Sequence, residues 1–261
     1  MIELNSTQFH KVNPLFQNIE HSAAIVYAVL ERNSPGRIFV DQPNTPTVAL
    51  LYAEGAFFYI AGSGTSQALS QALVPVIFTN LLPQINDKEM VLFSFSSALR
   101  NTLDGLFREQ GVIQIVRKVF KFNPDLFRAH PDRKASLPEG FDLRVMDQQM
   151  SEQYPHIKPI VDPATKRLGV CLLNGTEIAS ECSSIFVGKG EAEIDIHTDP
   201  KYQGKGYATL TAGAFIELCM ARGLSPQWSC WPERQASIAL AKKLGFEELP
   251  DVPAHYWAED M

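Results

Sequence analysis

Residues 195–224 read DIHTDPKYQGKGYATLTAGAFIELCMARGL: a strand-like segment, two glycines around a lysine, and then a helical pattern. The helix is indicated by apolar residues at spacings of three and four, namely Leu210, Ala214, Leu218 and Ala221. Gly204 and Gly206 have no Cβ atom where this helix begins, so a ligand can approach the unpaired N–H groups of its first turn. Because such a helix end attracts phosphate and Lys205 adds a cation, the stretch predicts a pyrophosphate cradle, with an ordinary strand-to-helix turn as the alternative.

Two familiar phosphate-binding motifs are absent from the sequence. It contains no GxxxxGK[ST] element, which argues against a P-loop kinase or ATPase. The segment GKGYA also lacks the third glycine and the later acidic strand end of a dinucleotide-binding fold. A cradle here therefore belongs to another class of phosphate-binding protein.

The composition is typical of a soluble globular protein. The 261 residues are 45% apolar and 20% charged, a length that accommodates about two domains. A net charge of -6 without a basic patch argues against nucleic acid as a partner and is compatible with a cationic substrate. There is no signal-peptide pattern, and no apolar run reaches the ~20 residues of a membrane helix. Four isolated cysteines in apolar segments predict buried, reduced thiols and a cytoplasmic protein: Cys171, Cys182, Cys219 and Cys230.

The chain divides into two similar halves. Each half gives three strands, a helix, a strand, a helix and a strand, and the last helix stops at Gly111 in one half and at Gly245 in the other. We therefore expect an α+β fold of two tandem units, mixed central sheets flanked by helices, in domains 1–130 and 136–261. The proline-rich segment 123–140 is the predicted linker, and the C-terminal segments FEELP and AHYWA are expected to complete the sheet of the second unit.

Two motifs stand in a fixed order in the second half. Residues 203–208 read QGKGYA, and SIALAKKLGF follows about one strand and one helix later. This order resembles the GNAT acyltransferase superfamily, whose signature is Q/R-x-x-G-x-G/A, and the likeness runs from about Phe141 to the C-terminus. The wider string is most similar to the zwittermicin-resistance-type acetyltransferases. The resemblance implies an N-acetyltransferase with acetyl-CoA as co-substrate and a small amine as acceptor. We expect direct transfer without a covalent enzyme intermediate, and no metal, nucleic acid or membrane partner.

The resemblance also implies roles for individual residues. The amides of residues 203–208 would cradle the pyrophosphate, and the backbone of residues 196–198 would pair, strand-like, with the pantetheine arm. Arg234 is a candidate for a CoA phosphate and Ser237 for a hydroxyl contact, with a solvated arginine and a packed serine as the alternatives. The implied cofactor-binding residues are Ile196, His197, Thr198, Gln203, Gly204, Lys205, Gly206, Tyr207, Ala208, Arg234 and Ser237.

Three titratable residues alternate along the strand EAEIDIHT. Glu193, Asp195 and His197 fall on one strand face, and both a proton relay and a solvent-exposed polar face are compatible with that pattern. Glu193 is the first candidate for the general base, because relatives in this branch carry an acid at that position. His197 is the second candidate, because its unperturbed pKa lies near neutrality.

The sequence departs from the superfamily pattern around its last helix. Ala241 stands where many members carry a tyrosine that protonates the departing thiolate. The acid would then be another group, solvent, Tyr207 or Tyr256, and a catalytically silent acyl-CoA-binding sensor or interaction protein is the alternative function.

In the first half, Gly62 and Gly64 are not accompanied by a cation and a glutamine like those of QGKGYA, so we expect a degenerate unit that has no phosphate site.

Overall fold

A computed structural model describes residues 1–63, 67–86, 88–129 and 137–260, and Gly64 of the first-half turn lies outside these residues. The strands are β1 (Ile2–Glu3), β2 (Gly36–Val40), β3 (Val48–Ala53), β4 (Phe57–Gly62), β5 (Glu89–Ser94), β6 (Ile113–Phe122), β7 (Phe141–Val145), β8 (Gly169–Asn174), β9 (Glu177–Gly188), β10 (Glu191–Thr198), β11 (Ser225–Cys230), β12 (Phe246–Glu248) and β13 (Val252–Ala258). The α-helices are α1 (Asn13–Phe16), α2 (Ala23–Leu30), α3 (Gln67–Val74), α4 (Ser97–Leu106), α5 (Pro124–Ala129), α6 (Gln148–Gln153), α7 (Lys158–Val161), α8 (Tyr207–Ala221) and α9 (Gln235–Lys243).

The described residues also form shorter helical turns. A π-helical turn spans Pro75–Leu81, and short 3-10 turns are Ser6–Val12, Leu82–Gln84, Pro155–Ile157, Pro163–Thr165 and Pro200–Tyr202. None of the helices in the described ranges is long and apolar enough to cross a bilayer.

The chain forms two compact units. The first consists of Met1–His21, Val29–Val116 and Val252–Met261, and the second of Ser22–Ala28 and Arg117–Asp251. These bounds differ from the predicted domains 1–130 and 136–261. The difference arises because the last strand of each half pairs within the unit formed mainly by the other half: most of β6 belongs to the second unit and β13 to the first.

The sheet of the first unit has the strand order β1-β2-β3-β4-β5-β13. Neighbouring strands are antiparallel except β4 and β5, which are parallel. Helix α4 and the π-helical turn cover one face of this sheet. The core between them is formed by apolar side chains that include Leu50, Phe58, Ile60, Ile77, Leu92, Leu103 and Phe107.

The C-terminal strand β13 pairs with β5, so the expectation that it completes the second unit's sheet is wrong. Tyr256 lies opposite Val91 in this register. The neighbouring His255 is buried, and its Nε2 donates a hydrogen bond of 2.7 Å to Asp104 Oδ1. Gln114 Nε2 donates to the same oxygen, also at 2.7 Å. Because a buried polar side chain is costly without such a partner, this contact favours the observed position of β13.

The sheet of the second unit has the order β6-β11-β10-β9-β8-β7, with β12 also paired to β6. Strands β10 and β11 are parallel, and the other neighbours are antiparallel. The predicted run of three strands is confirmed as β8, β9 and β10, with positive φ angles at the turn residues Gly175 and Gly190. Helices α8 and α9 bury Cys182, Ile194, Phe215, Ile216, Cys219 and Leu244 with other apolar side chains, and all four cysteines are free and buried, as predicted.

The predicted linker contains helix α5. The side chain of Asn123 accepts the backbone N–H of Asp125 at 3.1 Å, and Pro124 occupies the first helical position, where its missing N–H costs nothing. Phe127 on this helix is buried. The linker interpretation is therefore wrong for this part of the segment, and residues 130–136 lie outside the described ranges.

Gly188→Ala is expected to destabilise the second unit. A Cβ atom at Gly188 in β9 would lie 2.3 Å from the backbone nitrogen of Ala28, which cannot move independently of α2. We expect a loss of about 1–3 kcal/mol in the free energy of unfolding, measured by urea denaturation. The control is Gly213→Ala in α8, where the added Cβ meets Leu244 Cδ2 at 4.0 Å and should add ~0.5–1 kcal/mol through helix propensity. Equal stability of the two variants would contradict the close packing at Gly188.

Candidate active site

Strands β10 and β11 pair only where they begin. Three residue pairs join them, and the last is Glu193 opposite Gln227. Beyond that pair, β11 is bonded to β6, whereas β10 continues to Thr198 with β9 as its partner. A register shift in the β9 ladder falls between Glu193 and Ile194, where a bulge increases the local twist. Among the described strand pairings, the β11-facing edge of β10 is therefore open from Ile194 onward.

Two glycines precede helix α8, which follows β10 in the chain. Gly204 and Gly206 have φ angles of 74° and 82°, in the left-handed region that favours glycine. A Cβ atom added to either residue would have no neighbour within 4 Å, so packing within the protein does not require the missing side chains. Gly62 in the first unit differs, because packing within the protein does require a missing side chain there. A Cβ atom on Gly62 would lie 2.1 Å from the carbonyl oxygen of Thr47.

The backbone N–H groups at the start of α8 are available to a ligand. Within the described residues, the N–H groups of Gly204, Lys205 and Gly206 donate no hydrogen bond. Tyr207 and Ala208 add the first two N–H groups of the helix, whose 15 residues give this end a partial positive charge. The arrangement can bind an anion such as phosphate.

A hydrogen-bond network around Tyr202 supports this loop. The Tyr202 hydroxyl donates to Glu177 Oε2 at 2.8 Å and accepts from Asn174 Nδ2 at 3.0 Å. Lys201 Nζ donates to the same Glu177 oxygen at 2.7 Å, and Lys205 lies over the Tyr202 ring, 5.5 Å from its centroid. The sequence motif alone did not identify Tyr202, Asn174 or Glu177, because their contacts depend on the turn between β8 and β9.

The loop is also tied to β10 and carries positive charge. Gln203 Nε2 donates to the carbonyl oxygen of Thr198 at 3.0 Å, so the last residue of β10 is held beside the glycine turn. Lys205 is exposed, and its Nζ donates to the Lys201 carbonyl oxygen at 3.1 Å. The ammonium group of Lys205 therefore adds to the positive end of α8.

Glu193 is a buried carboxylic acid between β10 and β11. Only 5% of the residue is exposed, and its Oε1 accepts a hydrogen bond of 2.6 Å from Ser229 Oγ on β11. Burial raises the pKa of Glu193, while Ser229 and the positive charge of Arg117 oppose this rise and Glu191 adds to it. Nothing in the sequence motif pointed to Ser229 or Arg117, because both approach Glu193 from other strands.

Asp195 and His197 have a different environment from Glu193. Both side chains are exposed, and His197 lies opposite Glu181 of β9. Neighbouring protein atoms displace part of the water around Asp195 and so raise the pKa of its carboxyl group, and the like charge of Glu181 adds to this effect. The N–H of Ile196, on the predicted pantetheine-binding segment, donates to the Asp195 carboxylate.

The remaining predicted residues lie around α9. Arg234 is exposed immediately before the helix, and Ser237 Oγ in its first turn accepts a hydrogen bond of 3.0 Å from Trp228 Nε1. Ala241 is fully buried in the apolar core. Tyr256, one candidate for the general acid, lies on β13 in the first unit, where a hydrogen bond to Glu89 raises the pKa of the phenol to about 12. Within the described residues, His, Cys, Asp and Glu form no group of three that could hold a metal ion.

Comparisons with known proteins give a consistent result. A family model described as GNAT acetyltransferase matches residues 13–252. The chain is 28% identical over 263 residues to the uncharacterized N-acetyltransferase YdfB of Bacillus subtilis (strain 168), with 97% of each chain covered. A GCN5-related N-acetyltransferase-like protein from Streptococcus suis 89/1591 superposes with a TM-score of 0.70 at 24% identity, covering 97% of this chain and 99% of that one. A tandem GNAT protein from the clavulanic acid biosynthesis pathway, solved without AcCoA, superposes with a TM-score of 0.66 at 12% identity, covering 98% and 96%.

The chain belongs to the GNAT acetyltransferase family, because the family model spans most of its length. The structural likenesses confirm the predicted fold, an α+β architecture of mixed sheet flanked by helices that is shared with a tandem GNAT protein. The class expected from QGKGYA is thus confirmed at the level of the family.

Stability is expected to depend on the ionisation of Glu193. Because burial raises its folded-state pKa, the neutral acid stabilises the fold below the unfolded-state pKa, and this contribution is lost as pH rises through the folded-state pKa. Glu193→Gln cannot ionise, so its Tm should exceed that of the wild type at pH 8. The gap should close toward pH 4.

Scanning calorimetry at the two pH values measures this difference. Glu177→Gln is the control, because the carboxyl group of Glu177 is exposed and its pKa is lowered by Lys201 and Tyr202. This variant should not gain stability at pH 8. A Tm for Glu193→Gln that is below the wild-type value at pH 8 would contradict the account of Glu193.

Proposed function

We propose that this protein transfers the acetyl group of acetyl-CoA directly to a small amine. The observation that carries the proposal is the open glycine turn at Gly204 and Gly206, with unpaired N–H groups at the start of α8. A pyrophosphate suits this place, because it needs donors and positive charge and leaves no room for a Cβ atom. Lys205 supplies a further cation at the rim.

The open edge of β10 suits the pantetheine arm of the same co-substrate. An extended chain with amide groups can add to a strand edge through backbone hydrogen bonds. Ile196, His197 and Thr198 lie on the open part of β10, and the Gln203 side chain holds Thr198 beside the cradle. Arg234 stays a candidate for a CoA phosphate, because it is exposed at the start of α9, and Ser237 stays a candidate for a hydroxyl contact.

The reaction needs positioning and the removal of one proton. Bound acetyl-CoA supplies the thioester, whose carbon–sulfur bond breaks as the amine nitrogen bonds to the acetyl carbon. Glu193 is the proposed base, because its raised pKa lies closer to the operating pH than that of a solvated glutamate. His197 is the second candidate. The thiolate would take its proton from solvent or from Tyr207, since Ala241 offers no donor.

The acceptor is proposed to be a cationic small molecule. The chain has a net charge of -6, and Glu181 and Asp195 lie on neighbouring strands near His197. A negative surface of this kind concentrates cations. A thiol-release screen with polyamines, aminoglycosides and peptide amines would identify the acceptor class.

The closer likeness to zwittermicin-resistance-type acetyltransferases and the cytoplasmic location remain predictions.

A catalytically silent acyl-CoA-binding sensor or interaction protein is the second candidate function. The fully buried Ala241 favours it, because this residue cannot protonate a departing thiolate. The same screen separates the two candidates. A sensor would bind acetyl-CoA and release no thiol when an amine is added, whereas the proposed enzyme releases thiol in proportion to amine turnover.

The first unit is proposed to be a degenerate GNAT-like unit without a CoA site. Its β4 and β5 pair along four residue pairs up to Ile60 opposite Ser94, and the Phe95 N–H adds a bond of 3.5 Å to the Ile60 carbonyl oxygen. The pairing of β4 with β5 is therefore one residue pair longer than that of β10 with β11. Gly62 is packed against Thr47 and has no open space in front of it.

Gly206→Ala is expected to weaken CoA binding by at least about 10-fold, because the added methyl group takes the place of a phosphate oxygen. Isothermal titration calorimetry with CoA gives the dissociation constant directly. Gly223→Ala is the matched control. Gly223 follows the other end of α8, has a φ of 70° and has nothing within 4 Å of an added Cβ, so the substitution carries the same backbone cost. Wild-type affinity in Gly206→Ala would refute the cradle.

Glu193→Gln is expected to lower kcat/KM for the amine by roughly 10²-fold at pH 7, the scale of losing a general base, with CoA affinity nearly unchanged. His197→Ala is expected to have a smaller effect. Steady-state thiol release measures both variants, and CoA calorimetry is the control for binding. A larger loss in His197→Ala would reverse the ranking of the two candidates, and wild-type rates in both would remove the side-chain base from the proposal.

A further inference from the structure

Ser229 occupies a distinctive place in the second unit. It lies on β11 two residues beyond Gln227, the last residue of that strand that pairs with β10. At this point the backbone of β11 is bonded to β6, with Ser229 opposite Val119. The side chain of Ser229 nevertheless reaches Glu193 on β10, so its hydroxyl bridges the two strands at the place where they separate.

The contact between the two side chains is short and specific. Ser229 Oγ lies 2.6 Å from Glu193 Oε1, within the range of a hydroxyl that donates to a carboxylate. Glu193 is buried, so little water is present to orient its carboxyl group. Among the hydrogen bonds of the described residues, Oε1 has this donor and Oε2 has none. The bond therefore fixes one oxygen and leaves the other with its lone pairs available.

The charged groups that act on Glu193 come from two strands. Arg117 on β6 favours the carboxylate, and Glu191 on β10 opposes it. The guanidinium group of Arg117 lies over the ring of Trp231, 4.7 Å from its centroid, which restricts its movement. These charges influence whether Glu193 is ionised. The direction of the carboxylate lone pairs is set instead by the hydrogen bond from the Ser229 hydroxyl.

We propose that Ser229 is a positioning residue for the reaction: its hydroxyl holds Oε1 of Glu193, so that Oε2 faces the proton released by the acceptor amine. This inference rests on the proposed function. When the nitrogen–carbon bond forms and the carbon–sulfur bond breaks, the amine proton passes to Oε2, directly or through one water molecule. Ser229 keeps its own proton throughout and touches neither substrate.

The kinetic test compares Ser229→Ala, Ser229→Thr and Ser225→Ala. Ser229→Ala should lower kcat/KM for the amine roughly 10- to 100-fold, the range for losing a hydrogen bond to a charged group, with KM little changed. The fall of kcat/KM at low pH should begin at a higher pH in Ser229→Ala, because the Glu193 carboxylate loses a hydrogen-bond donor and is protonated more readily. Ser229→Thr keeps the hydroxyl and should restore the profile. Ser225→Ala, at the exposed start of β11, should match the wild type.

A second measurement is independent of activity. Carboxyl ¹³C NMR titration of glutamate-labelled protein, with the Glu193 signal assigned by its loss in Glu193→Gln, should give a higher pKa for Glu193 in Ser229→Ala than in the wild type. An unchanged pKa would overturn the proposed hydrogen bond. A raised pKa with an unchanged kcat/KM profile would overturn the positioning role. If the wild type released no thiol when an amine was added, the proposed enzyme activity would be refuted, and the positioning role of Ser229 with it. The NMR titration would still test the hydrogen bond between Ser229 and Glu193, because it does not depend on activity.

Discussion

The separation of β10 from β11 after Glu193 is the constraint on which the candidate site depends. Parallel neighbours normally satisfy each other's backbone groups along their whole length. Here β11 is bonded to β6 beyond Gln227, and the edge of β10 up to Thr198 is left open. The glycine turn and the first turn of α8 follow β10 directly in the chain. The hydrogen bond from the Gln203 side chain to Thr198 therefore holds the open edge of β10 beside the open N-terminal end of α8.

The same separation gives Glu193 its environment. The residue lies at the last β10–β11 pair, so it is covered by the sheet and yet borders the opening. Burial alone would favour the neutral acid. Ser229 and Arg117 approach from β11 and β6 and oppose that tendency, so the pKa of Glu193 is raised less than burial alone would raise it. In the first unit, β4 and β5 are paired as far as Ile60 and Ser94.

Local features of the fold and site could be predicted from the sequence, and features that depend on distant pairing could not. Period-2 and period-3.6 patterns identified β8 to β10 and α8, and the glycine turn was visible because its chemistry lies within six consecutive residues. Nothing in the pattern of β13 indicates which sheet accepts it, since β-strand pairing is set by long-range contacts. Ser229 and Tyr202 were missed for the same reason, because their partners Glu193 and Glu177 are distant in sequence.

We propose that a single open glycine turn, in the second unit, holds the phosphates of CoA. Calorimetric titration of the full chain with CoA tests it most directly, because the stoichiometry reports on both units at once. We expect one site per chain, since Gly204 and Gly206 face open space and Gly62 faces the Thr47 carbonyl oxygen. Two sites per chain, or no heat of binding at millimolar CoA, would contradict it.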